Sequence, residues 1–144
     1  MSNRRKIVRV RDVMKTRVDM ADGMATVTEA LRDARYHETK CLLIRKRDHN
    51  DEFGIVAYSD IAKRVLARDR APDRTNLYEI MTKPVLSVLP DMDIRYCARL
   101  FENFGIARAP VIENGEVLGI VGYTDMVLHG LLPLPEGSEG ETPA

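Results

Sequence analysis

The sequence has no tryptophan, only two cysteines and three histidines, and no net charge: 22 Lys and Arg balance 22 Asp and Glu over 144 residues. Each scarcity excludes something. Cys41 and Cys97 lack CxxC spacing and have no His or Asp in ligand register beside them, so neither a disulfide framework nor a zinc site is expected, and both read as small core residues. His37, His49 and His129 are spread over a helix, a polar loop and the last helix without partners at triad or metal-ligand spacing, which leaves no catalytic constellation. The glycines at 54, 119, 122 and 130 form no G-x-x-x-x-G-K-[ST] phosphate loop. Zero net charge gives no general attraction to nucleic acid. The apolar runs fall far short of the ~20 residues of a membrane span. The start, Met1-Ser2-Asn3-Arg4-Arg5-Lys6, is basic but leads into alternating residues rather than an apolar signal core, so the expected location is the cytoplasm.

What the chain does have is a repeat. Gly54-Ile55-Val56-Ala57-Tyr58-Ser59-Asp60-Ile61 returns as Gly119-Ile120-Val121-Gly122-Tyr123-Thr124-Asp125-Met126, and Val13-Met14-Lys15 is echoed by Ile80-Met81-Thr82. Internal repetition marks two copies of one supersecondary unit. The hydrophobic content of 44% suits a soluble domain of this length, which buries roughly 70% of its unfolded surface on folding.

Each copy opens on a short stretch ending in Met, Val8 to Met14 or Leu77 to Met81, readable as a strand or, from Asp12 and Glu79, as one helical turn. A strand follows, Thr16 to Met20 or Pro84 to Val88. Next comes a helix. In the second copy Ile94, Cys97, Ala98, Phe101 and Phe104 fall at i, i+3, i+4, i+7 and i+10, and Val27, Ala30, Leu31 and Ala34 match the first four. Thr26 or Thr28 and Pro90-Asp91 are the expected starts, and Gly105 the expected stop of the second helix. Two strands then form a hairpin, Cys41 to Ile44 with Gly54 to Ala57, and Ala109 to Ile112 with Val117 to Gly122. The second turn carries Asn114-Gly115, the preferred dipeptide for a tight hairpin, while the first loop, Arg45 to Glu52, is longer and polar. A final helix begins near Ser59-Asp60 or Thr124-Asp125.

Each copy thus reads β-α-β-β-α, an α+β fold. The expected division is a basic arm over 1–8, a first unit over 9–68, a charged, proline-bearing linker over 69–76, a second unit over 77–132 and a disordered acidic tail over 133–144. Arg4, Arg5, Lys6, Arg9 and Arg11 at one end and Glu136, Glu139 and Glu141 at the other read as solvated segments.

These marks, in this order and in both copies, resemble the CBS domain pair, the tandem regulatory module named after cystathionine beta-synthase; the resemblance covers residues 9–132. It implies two β-α-β-β-α units related by a pseudo-twofold axis, packed through their sheets to leave two clefts. It implies adenosine-containing ligands there, with AMP, ADP or ATP expected and S-adenosylmethionine admitted. It further implies pairing into a homodimer and regulation of a separate protein rather than enzymatic activity.

The resemblance also assigns site residues. Asp60 and Asp125 stand at the family's ribose positions, and a carboxylate at the first turn of a helix can accept hydrogen bonds from both hydroxyls of a cis-diol. Ser59 and Thr124 offer neighbouring hydroxyls, and the helix start adds unpaired backbone N–H groups. The competing reading makes both Asp residues helix caps, worth about 0.5–2 kcal/mol each. Lys40, before Cys41, and Arg108, before Ala109-Pro110, stand where the family has a basic residue that reaches phosphate. Thr82-Lys83-Pro84-Val85, with Thr16-Arg17-Val18 as counterpart, resembles the strand start that faces adenine, or else only ends the turn after Met. Tyr58 and Tyr123 can stack on the ligand or cover the sheet edge. The family carries Ser or Thr three residues before the Asp, whereas this chain has Ala57 and Gly122, so one hydroxyl is missing from each cleft. That departure supports an alternative, a structural dimerisation module without nucleotide. A third reading uses the basic arm as a nucleic-acid contact with steep salt dependence.

Overall fold

The computed structural model describes residues 6–132; Arg4 and Arg5 of the expected basic arm and the expected acidic tail over 133–144 lie outside the described residues. The chain is α+β and divides into two compact units. One is Arg17–Leu86, called here the Asp60 unit; the other joins residues 6–16 to residues 87–132 and is called the Asp125 unit.

In the Asp60 unit, strand β1 (Met20–Ala21) pairs in parallel with β2 (Cys41–Ile44), which pairs antiparallel with β3 (Gly54–Ala57). Helix α2 (Val27–Asp33) is capped at Thr26, whose hydroxyl accepts from Glu29 N at 3.1 Å while Glu29 accepts from Thr26 N at 2.8 Å. Helix α3 (Tyr58–Ile61) continues through a wider turn over Ala62–Leu66, closed by a bond from Ala67 N to Ala62 O. The expected strand from Thr16 shrinks to Met20–Ala21. Residues 68–76 are bound to this unit rather than spanning open space: Thr75 is buried and its carbonyl accepts from Val27 N.

The Asp125 unit repeats the plan. Helix α4 (Ile94–Phe104) starts at Asp93, which accepts from Arg95 N, not at the expected Pro90-Asp91, and stops as expected at Gly105 in the left-handed conformation, φ 67°. Ile94, Cys97 and Phe101 face the core as their spacing predicts. Phe104, in the last turn before Gly105, does not; it is 62% exposed. Strands β4 (Arg108–Glu113) and β5 (Glu116–Gly122) form an antiparallel hairpin, with Asn114 and Gly115 both at positive φ, as the Asn-Gly turn requires. Only Val88 of the expected Pro84 to Val88 strand joins it, by a parallel bridge to Val111. Helix α5 (Tyr123–Gly130) closes the unit.

Compact units and sequence copies differ in one respect. Each copy's opening segment enters the unit built on the other copy's hairpin. Both segments are single helical turns rather than strands: α1 (Val10–Val13), with Asp12 accepting from Arg9 N at 2.9 Å, and Leu77–Glu79, with Glu79 accepting from Asn76 N at 2.8 Å. One turn puts i and i+3 on one face. Val10 and Val13 of the first copy are therefore buried in the Asp125 unit, and Leu77 and Ile80 of the second copy in the Asp60 unit beside Val27, Leu42 and Val56. Fully burying a Leu or Ile contributes roughly 1.5–3 kcal/mol.

The residues after each Met complete the exchange. Lys15 exchanges both backbone hydrogen bonds with Ile120, each at 2.8 Å, and Thr82 does the same with Ile55 at 2.9 and 3.0 Å.

Candidate functional site

Both repeated Asp residues sit at the third position of their helices and cap the preceding backbone. Asp60 Oδ2 accepts from Ala57 N and Asp125 Oδ2 from Gly122 N, each at 2.9 Å. A carboxylate has about four lone-pair sites, so one capping bond leaves capacity for a ligand. The remaining surroundings differ.

Asp60 is partly exposed, and its Oδ1 has no partner among the described residues. Before it, Tyr58 N donates to the carbonyl of Lys40 at 2.9 Å, which ties the start of α3 to the turn ahead of β2. Lys40 adopts the left-handed conformation, φ 59°, and its side chain is exposed. The Tyr58 hydroxyl lies 2.8 Å from His37 Nδ1, and partial burial, with the Asp19 charge second, raises its pKa above the usual phenol value. Asp19 is buried, accepting from Arg35 N and Tyr36 N at 2.9 Å each, and so shapes the bend that presents His37. Arg17 stands 6.0 Å above the Tyr36 ring. Ser59 is exposed and Cys41 buried. His37 and Asp19 belong to this neighbourhood although nothing in their sequence spacing singles them out.

Asp125 is buried, 3% exposed, and its Oδ1 is ion-paired with Lys15 Nζ. Tyr123 packs edge-on against Phe101, with centroids 5.5 Å apart at 74°, so here the tyrosine covers the core. Its outer face lines a shallow depression of about 390 Å³ with Ala98, Arg99 and Glu102. Thr124 is exposed, and Ala109 and Pro110 are buried in β4.

Two correspondences expected between the copies shift by one residue. Cys41 pairs with Ala57 and Arg108 with Gly122, so Arg108 matches Cys41, while Lys40 matches Ala107, whose carbonyl accepts from Tyr123 N at 3.2 Å. The two basic residues therefore do not occupy matching places. Likewise Thr82 matches Lys15, not Thr16, since each pairs with the equivalent Ile of the neighbouring strand. Thr16 is exposed and Val18 half-buried.

The expected adenine-facing segment is partly committed to the sheet. Thr82 N and O bond to Ile55, and Val85 N donates to Phe53 O at 2.9 Å, which leaves the backbone of Lys83 and the carbonyls of Pro84 and Val85 without a backbone partner among the described residues. Pro84 follows a cis peptide bond. The Lys83 ammonium is held by Asp51, 2.6 Å from Oδ1. Among the described residues, no group of three or more His, Cys, Asp or Glu side chains is arranged to hold a metal ion, and no helix is long and apolar enough to cross a membrane.

Comparison with known proteins places this geometry. The chain is 34% identical to the hexameric CBS-CP12 protein from bloom-forming cyanobacteria, whose structure superposes with a TM-score of 0.81 over 85% of this chain and 70% of that one. It is 27% identical to the CBS domain pair of protein MJ0100, solved in complex with 5′-methylthioadenosine and S-adenosyl-L-methionine, with a TM-score of 0.70 over 84% of this chain and 94% of that one. It is also 27% identical over 121 residues to the uncharacterized protein MK0525 of Methanopyrus kandleri; the match takes in 83% of this chain but only 61% of that relative's length. The CBS domain profile matches residues 77–130. The repeat, the two hairpins and the capping Asp residues agree with these matches, and the chain belongs to the CBS domain family.

Proposed function

We propose that the chain is a non-enzymatic regulatory module that binds an adenosine-containing ligand, AMP, ADP, ATP or S-adenosylmethionine, and signals its presence to a separate protein while paired as a homodimer. The observation that carries this reading is the state of Asp60. Asp60 is partly exposed, and a carboxylate whose capping duty uses one oxygen keeps the other for a ribose hydroxyl. Ser59, Tyr58, Lys40 and Cys41 are its neighbours in the same unit, and Lys83, Pro84 and Val85 are the segment proposed to face the base. The further residues expected to line a cleft, Asp125, Thr124, Tyr123, Gly122, Arg108, Ala109, Pro110 and Thr16, belong to the Asp125 unit, where Asp125 is ion-paired with Lys15. The adenosine ligands bound by the 27%-identical CBS domain pair support the ligand class.

A ligand acts as a signal only through different affinities for two states of the protein. Isothermal titration of AMP, ADP, ATP, S-adenosylmethionine and 5′-methylthioadenosine into the purified chain tests the reading. At least one binds below millimolar concentration, and Asp60→Asn weakens it. No binding by any of the five, at a protein concentration that detects millimolar affinity, overturns it.

A second reading, a dimerisation module without nucleotide, draws on one observation: Asp125 is already spent on Lys15. It is the outcome left if all five titrations are flat while sedimentation still shows a dimer.

A further inference from the structure

The two repeated carboxylates are equivalent in sequence and in capping geometry, yet one is open and the other closed. The difference lies in the segment that the opposite copy lends to each unit. Lys15 and Thr82 occupy the same ladder position, paired respectively with Ile120 and Ile55, which are themselves equivalent repeat residues. Among the described residues Thr82 forms no side-chain bond to Asp60 and Asp60 Oδ1 has no partner. Lys15 reaches Asp125 Oδ1, and the Asp125 side chain is left with 4% of its surface exposed.

We infer that Lys15 is a resident occupant of the hydroxyl-reading position at Asp125, so that the Asp125 site is closed to a cis-diol and the chain reads one ribose, at Asp60. Lone-pair count alone does not produce the closure, because a carboxylate with two bonds can accept more. Access does. The ammonium covers the oxygen that the Gly122 amide leaves open, and a diol would have to displace a charge-assisted bond to reach it. The residue that sets the number of ribose sites is therefore the one after Met in each opening segment: Lys closes, Thr leaves open. This inference rests on the proposed binding of an adenosine-containing ligand and adds its stoichiometry and the residue that determines it.

The reciprocal exchange Lys15→Thr and Thr82→Lys tests it, with adenosine and 2′,3′-dideoxyadenosine as probes and the thermal melt of each variant measured without ligand. The wild type binds one adenosine per chain, and Asp60→Asn weakens adenosine by roughly 10- to 100-fold, as loss of a charge-assisted hydrogen bond does, without weakening the dideoxy compound. Thr82→Lys, at an exposed position that tolerates a longer side chain, weakens adenosine to the same extent. Lys15→Thr raises the stoichiometry to two, and its second site is lost on adding Asp125→Asn. Adenosine affinity that survives Thr82→Lys while Asp60→Asn loses it overturns the inference alone. So does a wild-type stoichiometry of two that Asp125→Asn reduces to one, or a Lys15→Thr chain that melts cooperatively and still binds one. A wild type that binds neither adenosine nor any of the five ligands titrated above overturns the underlying ligand reading instead, and the assignment of Asp60 falls with it.

Discussion

The ammonium of Lys83 is held by Asp51, its Nζ 2.6 Å from Oδ1 and 2.7 Å from Oδ2. Asp51 stands in the long polar loop between β2 and β3, the part of the first copy that has no counterpart in the second. Its Oδ2 also accepts from Arg47 N at 2.8 Å, which folds the loop back on itself. The longer hairpin thus clamps the segment that the second copy lends to the Asp60 unit. Lys15 pins the other exchanged segment through Asp125. Each crossing segment thus adds to its ladder bonds a lysine paired with an aspartate of the unit it enters.

The Asp51 clamp makes stability sensitive to acid. The hydrogen bond from Lys83, then that from the Arg47 backbone, holds the Asp51 carboxyl well below the ordinary range. Glu79 is lowered by the Asn76 amide and Arg70, and Asp93 by Arg95. A carboxyl with a folded pKa below its unfolded value of about 4 stabilises the fold fully above that value and loses the contribution as pH falls toward the folded one. Melting temperature should therefore be flat from neutral pH to about 5 and drop below about 4. Lys83→Met should lower it at pH 7 and shrink the acid drop. An acid limb parallel to wild type, followed by circular dichroism, would show that Lys83 does not set the Asp51 value.

The exchange of opening segments predicts which fragment folds. Residues 17–86 contain Leu77 and Ile80 with the Val27, Leu42 and Val56 core they complete, whereas residues 9–68 contain that core without them. The 17–86 fragment should show the more cooperative urea transition and the better dispersed amide spectrum of the two. In the whole chain Leu77→Ala should cost about 2–5 kcal/mol, as for a fully buried leucine. Equal behaviour of the fragments, or a loss for Leu77→Ala under about 1 kcal/mol, would contradict the packing described.

Features with a local cause were legible in the sequence. The spacing of Ile94, Cys97 and Phe101 marks one helical face, Asn114-Gly115 marks the hairpin, and Thr26 or Thr28 marks a helix start that the bonds with Glu29 assign to Thr26, because each signal and its effect lie within a few residues. Partner choice was not legible. Val10 with Val13 and Leu77 with Ile80 carry the same i, i+3 apolar pair, so nothing local states which hairpin each turn covers. Lys15 stands beside Met14 in the repeat, but its bond to a carboxylate 110 positions away depends on that same crossing. The one-residue slip that matched Lys40 to Arg108 has a similar origin: both are basic residues ahead of an apolar strand, and only the ladders, Cys41 to Ala57 and Arg108 to Gly122, fix the register.

Cys97 should be chemically silent in the folded chain. It is fully buried on the inner face of α4, and burial pushes its thiol up to about 11. At pH 8 almost none is thiolate, the reactive form. Iodoacetamide at that pH should therefore modify Cys97 only in denaturant, as mass spectrometry of the peptide containing it would read out. Rapid labelling of the native protein would mean that α4 opens on the timescale of the reaction.

Gly119 should be intolerant of any side chain, and more so than its repeat counterpart Gly54. A Cβ at Gly119 would collide with the carbonyl oxygen of Lys15, which is fixed by the ladder to Ile120, and would also press on Met14 Sδ at 3.2 Å. At Gly54 the nearest atoms are Met81 Sδ at 3.1 Å, the flexible end of a side chain, and Thr82 O at 3.3 Å. Backbone cannot yield as a thioether can, so overpacking at Gly119 should cost at least the usual ~1–3 kcal/mol and Gly54→Ala should fall at or below the low end. Because the displaced group is the Lys15 backbone, Gly119→Ala should also loosen the Lys15–Asp125 pair. Urea denaturation of both variants gives the two costs. If adding Asp125→Asn to Gly119→Ala destabilises the chain by as much as Asp125→Asn does in wild type, the strand contact and the ion pair are independent. A clearly smaller second loss is the expected result, since residues that share one displaced element do not add.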